Sequence, residues 1–452
     1  MKIIIVGCGK IGSTLAEHLD QEGHDITIID KQWERLKYIS DGIDVLGVQG
    51  NGASISTQRE AGVQNADILI ATTNSDELNL LCCLIAKKTG NCQTIARIRD
   101  PEYYNEMRFI RDELNLSLVI NPEQAAAAEV ARIIKFPSAM KVDTFARGRV
   151  ELIKIKIPDD SKLAGLKLTD MESKLHCKVL ICIVERGDEL LIPHGDFMLT
   201  AGDVVSFIAP HSVALSFFKA GGANTSNTVK SVMIIGGGMM SYYVAKWLEE
   251  TKINVKIIEK DFERCQELST MLPSAVIING DGTDKKLLDE EGIGVVDAVG
   301  NFTGIDEENI LLSLYERQMS GAKLLTKINR ITFEEVIASL NIGSIINKNS
   351  ITSDNIVSFV RALNNSKGSN VETLYKIAQG RAEALEFRVR DESKVVGKPL
   401  MQLKLKHGIL IACITKGNNV VIPNGQSVIE KGDLVVVISV ERGLNDLEDI
   451  LA

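Results

Sequence analysis

Over residues 1–135, short apolar runs alternate with segments whose apolar residues recur at helical spacing. The run at residues 2–6, Lys-Ile-Ile-Ile-Val, shows no polar alternation, which predicts a parallel strand buried on both faces. Residues 11–21 predict a helix. The alternation continues with strands at 25–29, 45–49, 68–72 and 94–98 and helices at 33–40, 55–61 and 76–88. The last of these helices carries Asp76 and Glu77 in its first turn and Lys87 and Lys88 in its last, which suits the helix dipole. Repeated βα units of this kind predict a doubly wound parallel sheet of Rossmann type. Asn121 as N-cap, Pro122 at N1 and Gln124 at N3 then open an Ala-rich helix to about residue 134, closed by Lys135-Phe-Pro137.

Residues 141–219 follow a different rhythm. Ile153, Ile155 and Ile157 alternate with Lys154 and Lys156, the period of a strand with one wet face. Arg186-Gly-Asp188 is a hairpin signal. The segment reads as a small α+β unit, mostly antiparallel β with a short helix.

The whole pattern is then repeated. Gly9 recurs as Gly238 and Asp30 as Glu259, both 229 residues on; Gly50 recurs as Gly280, Asp67 as Asp297 and Asn79 as Asn309, each 230 residues on. The register persists to Pro193-His-Gly195 and Pro423-Asn-Gly425, and to Gly202-Asp203 and Gly432-Asp433. A period held this long is a duplication. In the second copy Leu385, Phe387 and Val389 alternate with Glu386, Arg388 and Arg390, Lys416-Gly-Asn418 is the hairpin signal, and residues 354–363 match the Ala-rich helix. Between the copies, residues 221–228 are small and polar only and read as a linker. The expected organisation is therefore two tandem Rossmann-like domains, 1–135 and 230–365, each followed by a small mostly antiparallel domain, 141–219 and 372–452.

Composition narrows the function. With 45% hydrophobic and 25% charged residues, the 452-residue chain has a globular balance. The net charge of −9 disfavours a nucleic-acid partner. The eight cysteines form no Cys-x-x-Cys and read as buried thiols of a reducing compartment, so no metal site is expected. No 18-residue apolar run and no signal peptide is evident, so membrane work would require a membrane partner rather than insertion.

Candidate chemistry concentrates on two glycine loops. Gly7-Cys-Gly9-Lys-Ile-Gly12 links a predicted strand to a predicted helix, and Asp30 ends the next strand. Gly7 suits the tight turn, Gly9 lets backbone approach a phosphate, Gly12 lets the helix pack closely, and Asp30 suits ribose hydroxyls. A carboxylate there disfavours a 2′-phosphate. The second loop, Gly236-Gly-Gly238-Met-Met-Ser241, keeps two glycines, places Ser at the third and loses the charge of Lys10 to Met239; Glu259 replaces Asp30 and must fold back to do so. Two readings stand for it: an occupied nucleotide pocket, or a duplicated fold whose pocket has drifted. The same sheet edge carries Asn51, placed to face a base, Thr73 and Asn74 near ribose or phosphate, and Arg97 within reach of a phosphate. Their second-copy counterparts are Asp281, Thr303, Gly304 and Lys327. For each of these loop residues a purely structural turn role is the alternative reading. No catalytic constellation, G-x-S-x-G or Walker loop occurs, so the pattern reads as a nucleotide sensor and not an enzyme. A soluble NAD-dependent oxidoreductase is the competing reading.

Gly7–Gly12 with Asp30, Gln49-Gly-Asn-Gly52, Ala61-Gly62 before Ala66-Asp67, Thr73-Asn-Ser-Asp-Glu-Leu-Asn79 and Ala96-Arg-Ile-Arg99 together resemble the TrkA family of regulatory subunits of Trk potassium uptake, with tandem RCK (KTN) and TrkA-C domains. The resemblance covers essentially the whole chain. It implies a homotetrameric cytoplasmic ring at the inner face of the cell membrane, held by a TrkH- or TrkG-like potassium channel or transporter subunit. It also implies NAD(H) and ATP or ADP as regulatory ligands. By motif, the implied nucleotide ligands are Gly7, Cys8, Gly9, Lys10, Ile11, Asp30, Thr73, Asn74 and Arg97, and in the second copy Gly236, Gly237, Gly238, Met239, Met240, Glu259, Thr303, Gly304 and Lys327.

Overall fold

The computed structural model describes residues 1–136, 138–221, 229–330, 336–337, 340–365, 371–378, 380–390, 393–417, 419–441, 443–444 and 446–452. The expected linker, apart from Gly221, lies outside the described residues, as do Pro137 and Asn418 of the expected helix stop and second hairpin turn.

The first parallel sheet contains β1 (Lys2–Val6), β2 (Asp25–Asp30), β3 (Val45–Gln49), β4 (Ile68–Ala71), β5 (Gln93–Arg97) and β6 (Leu118–Ile120), in the order 3-2-1-4-5-6. The order reverses beside β1, so the cleft at its carboxyl end is the topological switch point. Ile3, Ile4, Ile5 and Val6 are all buried, which is why this strand shows no alternation. The last strand, β6, escaped the sequence reading because three residues carry no usable period.

The small sheet that follows is antiparallel: β7 (Lys141–Phe145), β8 (Val150–Lys156), β9 (Leu180–Arg186), β10 (Glu189–Leu191) and β11 (Val204–Pro210), in the order 10-9-11-8-7. The second copy repeats both. Its parallel sheet holds β12 (Ser231–Ile235), β13 (Asn254–Glu259), β14 (Val276–Asn279), β15 (Ala298–Asn301), β16 (Lys323–Lys327) and β17 (Ser344–Ile346), in the order 14-13-12-15-16-17. Its antiparallel sheet holds β18 (Val371–Ile377), β19 (Ala382–Arg388), β20 (Ile409–Lys416), β21 (Asn419–Val421) and β22 (Leu434–Ser439), in the order 18-19-22-20-21. The fold class is therefore as expected: two Rossmann-like parallel sheets, each followed by an antiparallel one. The two small sheets differ in their helices. The first has Leu168–Leu175 and His211–Ala220, whereas the second has, among the described residues, only the 3₁₀ turns Leu400–Gln402 and Leu447–Ile450.

The chain divides into two compact units. One comprises residues 1–126 and 347–359, the other residues 127–346 and 360–452. In the first unit, the start of a helix from the second copy joins the first Rossmann sheet. This helix runs Lys348–Asn365, well before the predicted start at 354. Asn347 caps it through Oδ1, which accepts from the amides of Asn349 and Ser350, both at 3.0 Å. Its first turns are polar, so hydrophobic periodicity begins late. Lys348 pairs with Glu123 at 3.0 Å, and Ser353 Oγ lies 2.9 Å from His18 Nδ1.

In the second unit, the two antiparallel sheets share a core. Phe145, Val150, Leu152, Cys182, Ile183 and Ile208 of the first meet Ile377, Ala382, Ala384, Cys413, Val436 and Ile438 of the second. This overturns the expectation of one wet face on each sheet. Glu386, read as water-facing, is 3% exposed, and Glu383 of the same strand is 2% exposed. Each is compensated by bonding. Glu386 accepts from the amide of Ala146 at 2.7 Å and from Thr373 Oγ1 at 3.1 Å, while Glu383 pairs with Arg361 at 3.2 Å. Burial still pushes the Glu386 carboxyl above its ordinary pKa. The junction has reciprocal arginines: Arg149 donates to the Gly417 carbonyl (2.7 Å) and Arg381 to the Asp188 carbonyl (2.9 Å). Each copy thus anchors the hairpin turn of the other.

Candidate nucleotide sites

In the first copy, β1 ends at Gly7, whose φ of +102° a side chain would strain. A Cβ there would also lie 3.0 Å from the amide nitrogen of Thr73, so the glycine loop and the loop after β4 press together. The helix Lys10–Asp20 starts at once. Its first intrahelical bond is Ser13 N–H to the Gly9 carbonyl at 2.8 Å, which leaves the amides of Lys10, Ile11 and Gly12 pointing out of the helix end. A Cβ on Gly9 would meet nothing within 4 Å, so this is the open side of the loop. A Cβ on Gly12 would sit 1.9 Å from the Gly7 carbonyl oxygen. Gly9 is thus open for an approaching ligand, and Gly12 is required by packing.

Asp30 closes the other side. Its Oδ2 accepts from the Cys8 amide at 2.7 Å and its Oδ1 from the Gln32 amide at 2.9 Å. Each oxygen keeps a second lone pair, as ribose hydroxyls require. Cys8 contributes only backbone. Its thiol is buried against the Arg35 carbonyl at 3.6 Å, and burial pushes its pKa up. The Ile11 side chain is likewise in the core, and Lys10 is exposed. Asn51 holds its own turn, with Oδ1 accepting from the Ala53 amide at 3.2 Å.

A buried amide organises the rest of this edge. Asn79, fully buried, accepts from the Thr73 amide (2.8 Å) and hydroxyl (2.7 Å) and donates to the Arg97 carbonyl (2.8 Å). Asp76 accepts from the amides of Arg99 (2.7 Å) and Asp100 (2.9 Å), and Arg99 Nη2 donates to the Asn74 carbonyl at 2.8 Å. The ends of β4 and β5 are therefore tied by side chains of the helix Asp76–Thr89. Sequence reading took Asn79 only as a family and repeat marker. We expect Asn79→Ala to orphan the Thr73 amide and the Arg97 carbonyl, at a cost of about 2–4 kcal/mol in urea unfolding; a change under about 0.5 kcal/mol would show that water replaces the amide.

Arg97 is 8% exposed, and its Nη1 makes a long 3.4 Å bond to the Thr72 carbonyl. Its Nε has no hydrogen-bond partner among the described residues. Burial, reinforced by neighbouring Arg99, pulls its pKa below the ordinary guanidinium value. This is an under-bonded buried cation against the end of β4, on the same edge of the sheet as the glycine loop.

The second copy repeats the frame with three coupled changes. Glu259 does fold back. Its Oε2 accepts from the Gly237 amide at 2.5 Å and its Oε1 from the Asp261 amide at 2.8 Å, the two bonds that Asp30 makes. Position 237 lacks a side chain, and a Cβ there would lie 3.0 Å from Glu259 Cβ and Cγ. The exchange of Cys8 for Gly237 therefore makes room for the longer acid. Ser241, at the third glycine position, is fully buried and donates to the Gly236 carbonyl at 2.5 Å, so the helix Met239–Glu249 still packs. Gly238, like Gly9, has open space on its Cβ side, and so has Gly304. Met240 is buried through its side chain.

The third change corrects the expectation of a lost charge. Arg264, from the helix Phe262–Met271, donates Nε to the Gly237 carbonyl at 2.8 Å, and its Nη2 lies 3.6 Å from Met239 Sδ. A cation thus lies on the loop although Lys10 has become Met239. Sequence reading missed it, although Arg35 and Arg264 keep the 229-residue offset of Asp30 and Glu259. The remaining contacts are copied: Asn309 accepts from the Thr303 amide at 2.9 Å and donates to the Lys327 carbonyl at 2.9 Å, and Lys327 Nζ donates to the Phe302 carbonyl at 2.9 Å.

Comparison with known proteins agrees with this duplicated arrangement. The TrkA-N domain family matches residues 3–122 and 232–348, and the TrkA-C domain family matches residues 152–220 and 384–452. The Trk system potassium uptake protein TrkA homolog 1 of Methanosarcina mazei is 33% identical over 99% of both chains. TrkA of Haemophilus influenzae is 32% identical over 100% of this chain and 98% of its own. Among solved structures, the GsuK channel bound to NAD superposes with a TM-score of 0.63 at 16% identity, covering 97% of this chain and 76% of that one; the isolated GsuK RCK domain gives 0.63, also at 16%, covering 97% and 92%. These structures share the fold. The sequence matches extend end to end in the same domain order, and the chain therefore belongs to the TrkA family of Trk potassium uptake proteins.

Proposed function

We propose that this chain is a cytoplasmic regulatory subunit that binds adenine nucleotides and through them gates a Trk-type membrane potassium transporter or channel subunit. One observation carries the reading. At the switch point of the first sheet, an open glycine loop, a doubly anchored carboxylate and an under-bonded buried guanidinium line the same edge. The residues fit a nucleotide: Asp30 would take the ribose hydroxyls, the amides of Lys10, Ile11 and Gly12 the phosphates, and Lys10 or Arg97 a terminal phosphate. Thr73 and Asn74 would wall the ribose side, and Asn51 the base side. GsuK, which shares the fold, has been solved with NAD and with ADP, and NAD(H) and ATP or ADP are the ligands proposed here. No described helix is long and apolar enough to cross a membrane, which suits attachment through a partner.

A nucleotide moves such an assembly only by binding one conformation more tightly than another. A tenfold preference is about 1.4 kcal/mol. Four equivalent sites in a homotetramer would supply about 5–6 kcal/mol, enough to reverse a two-state equilibrium. The test is calorimetric titration of the purified protein with ATP, ADP, NAD and NADH, followed by transport assays with the membrane partner. We expect Arg97→Ala to narrow the ATP-to-ADP affinity ratio by about tenfold while the protein stays folded; an unchanged ratio would remove Arg97 from this role. Absence of binding at millimolar nucleotide, or turnover of NADH with 2-oxo acids, would overturn the proposal.

A further inference from the structure

The two copies differ in the cation that serves the glycine loop. In the first, Lys10 opens the helix Lys10–Asp20, and Arg35 is exposed. In the second, Lys10 is replaced by Met239, and the guanidinium of Arg264 lies along the loop from the Gly237 carbonyl to the Met239 sulfur. We infer that Arg264 is the phosphate-recognising cation of the second cleft, delivered from the adjacent helix and restrained in the free protein by Glu267. The inference rests on the reading that the second cleft binds a nucleotide.

The geometry favours this role over a purely structural one. Arg264 sits at the third position of its helix. Asp261 caps that helix by accepting from the Arg264 amide at 3.1 Å, so the base of the side chain is fixed. The bond from Nε to Gly237 aims the planar group at the start of the helix Met239–Glu249, where the phosphate-binding amides lie. Its Nη2 spends its contact on a thioether, a weak acceptor that a phosphate oxygen would outcompete. Its Nη1 pairs with Glu267 Oε2 at 2.7 Å, and the Glu267 side chain is 61% exposed. An exposed pair of this kind is weak and readily exchanged. Glu259 is held by the amides of Gly237 and Asp261, whereas the guanidinium of Arg264 bonds to the Gly237 carbonyl, Met239 and Glu267. The Arg264 side chain is 22% exposed, so it is reachable from solvent.

The test separates this inference from the general proposal. Wild-type protein and an Asp30→Ala variant, which silences the first cleft, are titrated with ATP, ADP and adenosine. In the Asp30→Ala background, Arg264→Ala is expected to weaken ATP about tenfold or more and adenosine hardly at all. Glu267→Gln, which frees the guanidinium, is expected to tighten ATP by severalfold. Three results overturn the inference while leaving the first cleft's role intact: an unchanged ATP affinity in Arg264→Ala, an equal loss for ATP and adenosine, or no nucleotide bound at all once Asp30 is replaced. Absence of binding in the wild-type protein would instead remove the functional proposal itself. Melting curves of both variants report whether the fold is kept.

Discussion

Glu316→Gln is expected to stabilise the second unit above pH 8 while changing little at pH 5. Glu316 lies on the helix Asp306–Met319 with no exposed surface. Its Oε2 accepts from Asn301 Nδ2 at 2.7 Å, and its Oε1 has no hydrogen-bond partner among the described residues. Burial raises its pKa from 4.5 to about 8, and the Asn301 bond offsets only part of that rise. Among the described residues no ionised group compensates it: Arg317 on the same helix donates to the Leu340 carbonyl, and Lys327 of β16 to the Phe302 carbonyl. Asn301 and Glu316 continue into a polar chain, since Asn301 also donates to Ser313 Oγ at 2.8 Å, and Ser313 Oγ lies 2.6 Å from Thr326 Oγ1.

The sign follows from the raised value. Between pH 4.5 and 8 the folded carboxyl keeps a proton that the unfolded chain has released. The stability this confers is fully present below about pH 4.5 and is lost as pH rises through about 8. The loss is on the order of 3–5 kcal/mol by pH 9. Gln is isosteric with the protonated acid and cannot ionise. Melting temperatures measured from pH 5 to 9.5 should therefore diverge, with Gln higher by roughly 5–10 °C at the alkaline end. A gap that is constant across this range would show that Glu316 does not titrate in the folded protein. The first copy offers an internal contrast. There Ala71, Cys83, Ala86 and Ala96 take the places of Asn301, Ser313, Glu316 and Thr326, all within an apolar core.

Gly12→Val is expected to abolish nucleotide binding in the first cleft. A Cβ at this position would stand 1.9 Å from the Gly7 carbonyl oxygen and 3.2 Å from Thr72 Oγ1. Neither the turn nor the buried threonine has room to yield, so the helix would have to move outward and carry the amides of Lys10 and Ile11 with it. A displacement near 1 Å costs about 100-fold in a positioned site. Overpacking adds about 1–3 kcal/mol of destabilisation. Gly12→Ser is the informative companion. The second copy accommodates Ser241 by donating its hydroxyl to the Gly236 carbonyl. Serine brings the same Cβ and so the same displacement, but its hydroxyl can donate to the Gly7 carbonyl, so its losses in stability and affinity should be smaller than those of valine. Wild-type affinity in the valine variant, measured by calorimetry alongside a melt, would show that the loop is not the nucleotide cradle.

The sequence by itself determined the architecture and the frame of both clefts. A buried parallel strand must be apolar throughout, so β1 and β12 stand out at once, and the glycines after them mark where backbone must turn tightly or approach closely. The duplication fixed which positions to compare. Asp30 and Glu259 stand beside their loops because each ends the strand that pairs with the one leading into the loop, which the βα spacing already implies.

Only the tertiary structure decided the rest. The buried carboxylate Glu386 looks solvent-facing in an alternating strand, because a second sheet supplied from elsewhere in the chain is invisible to periodicity. Arg264 reaches the second loop from a separate helix, and its role depends on a side-chain direction that no motif encodes. The polar start of the helix Lys348–Asn365 belongs to the first Rossmann unit, 222 residues beyond residue 126, where the rest of that unit ends, and long-range pairing of that kind follows from three-dimensional packing and not from local propensity. Spacing along the chain specifies what a segment can become. Which charges are buried, and which loops share a cation, is set by what folds against them.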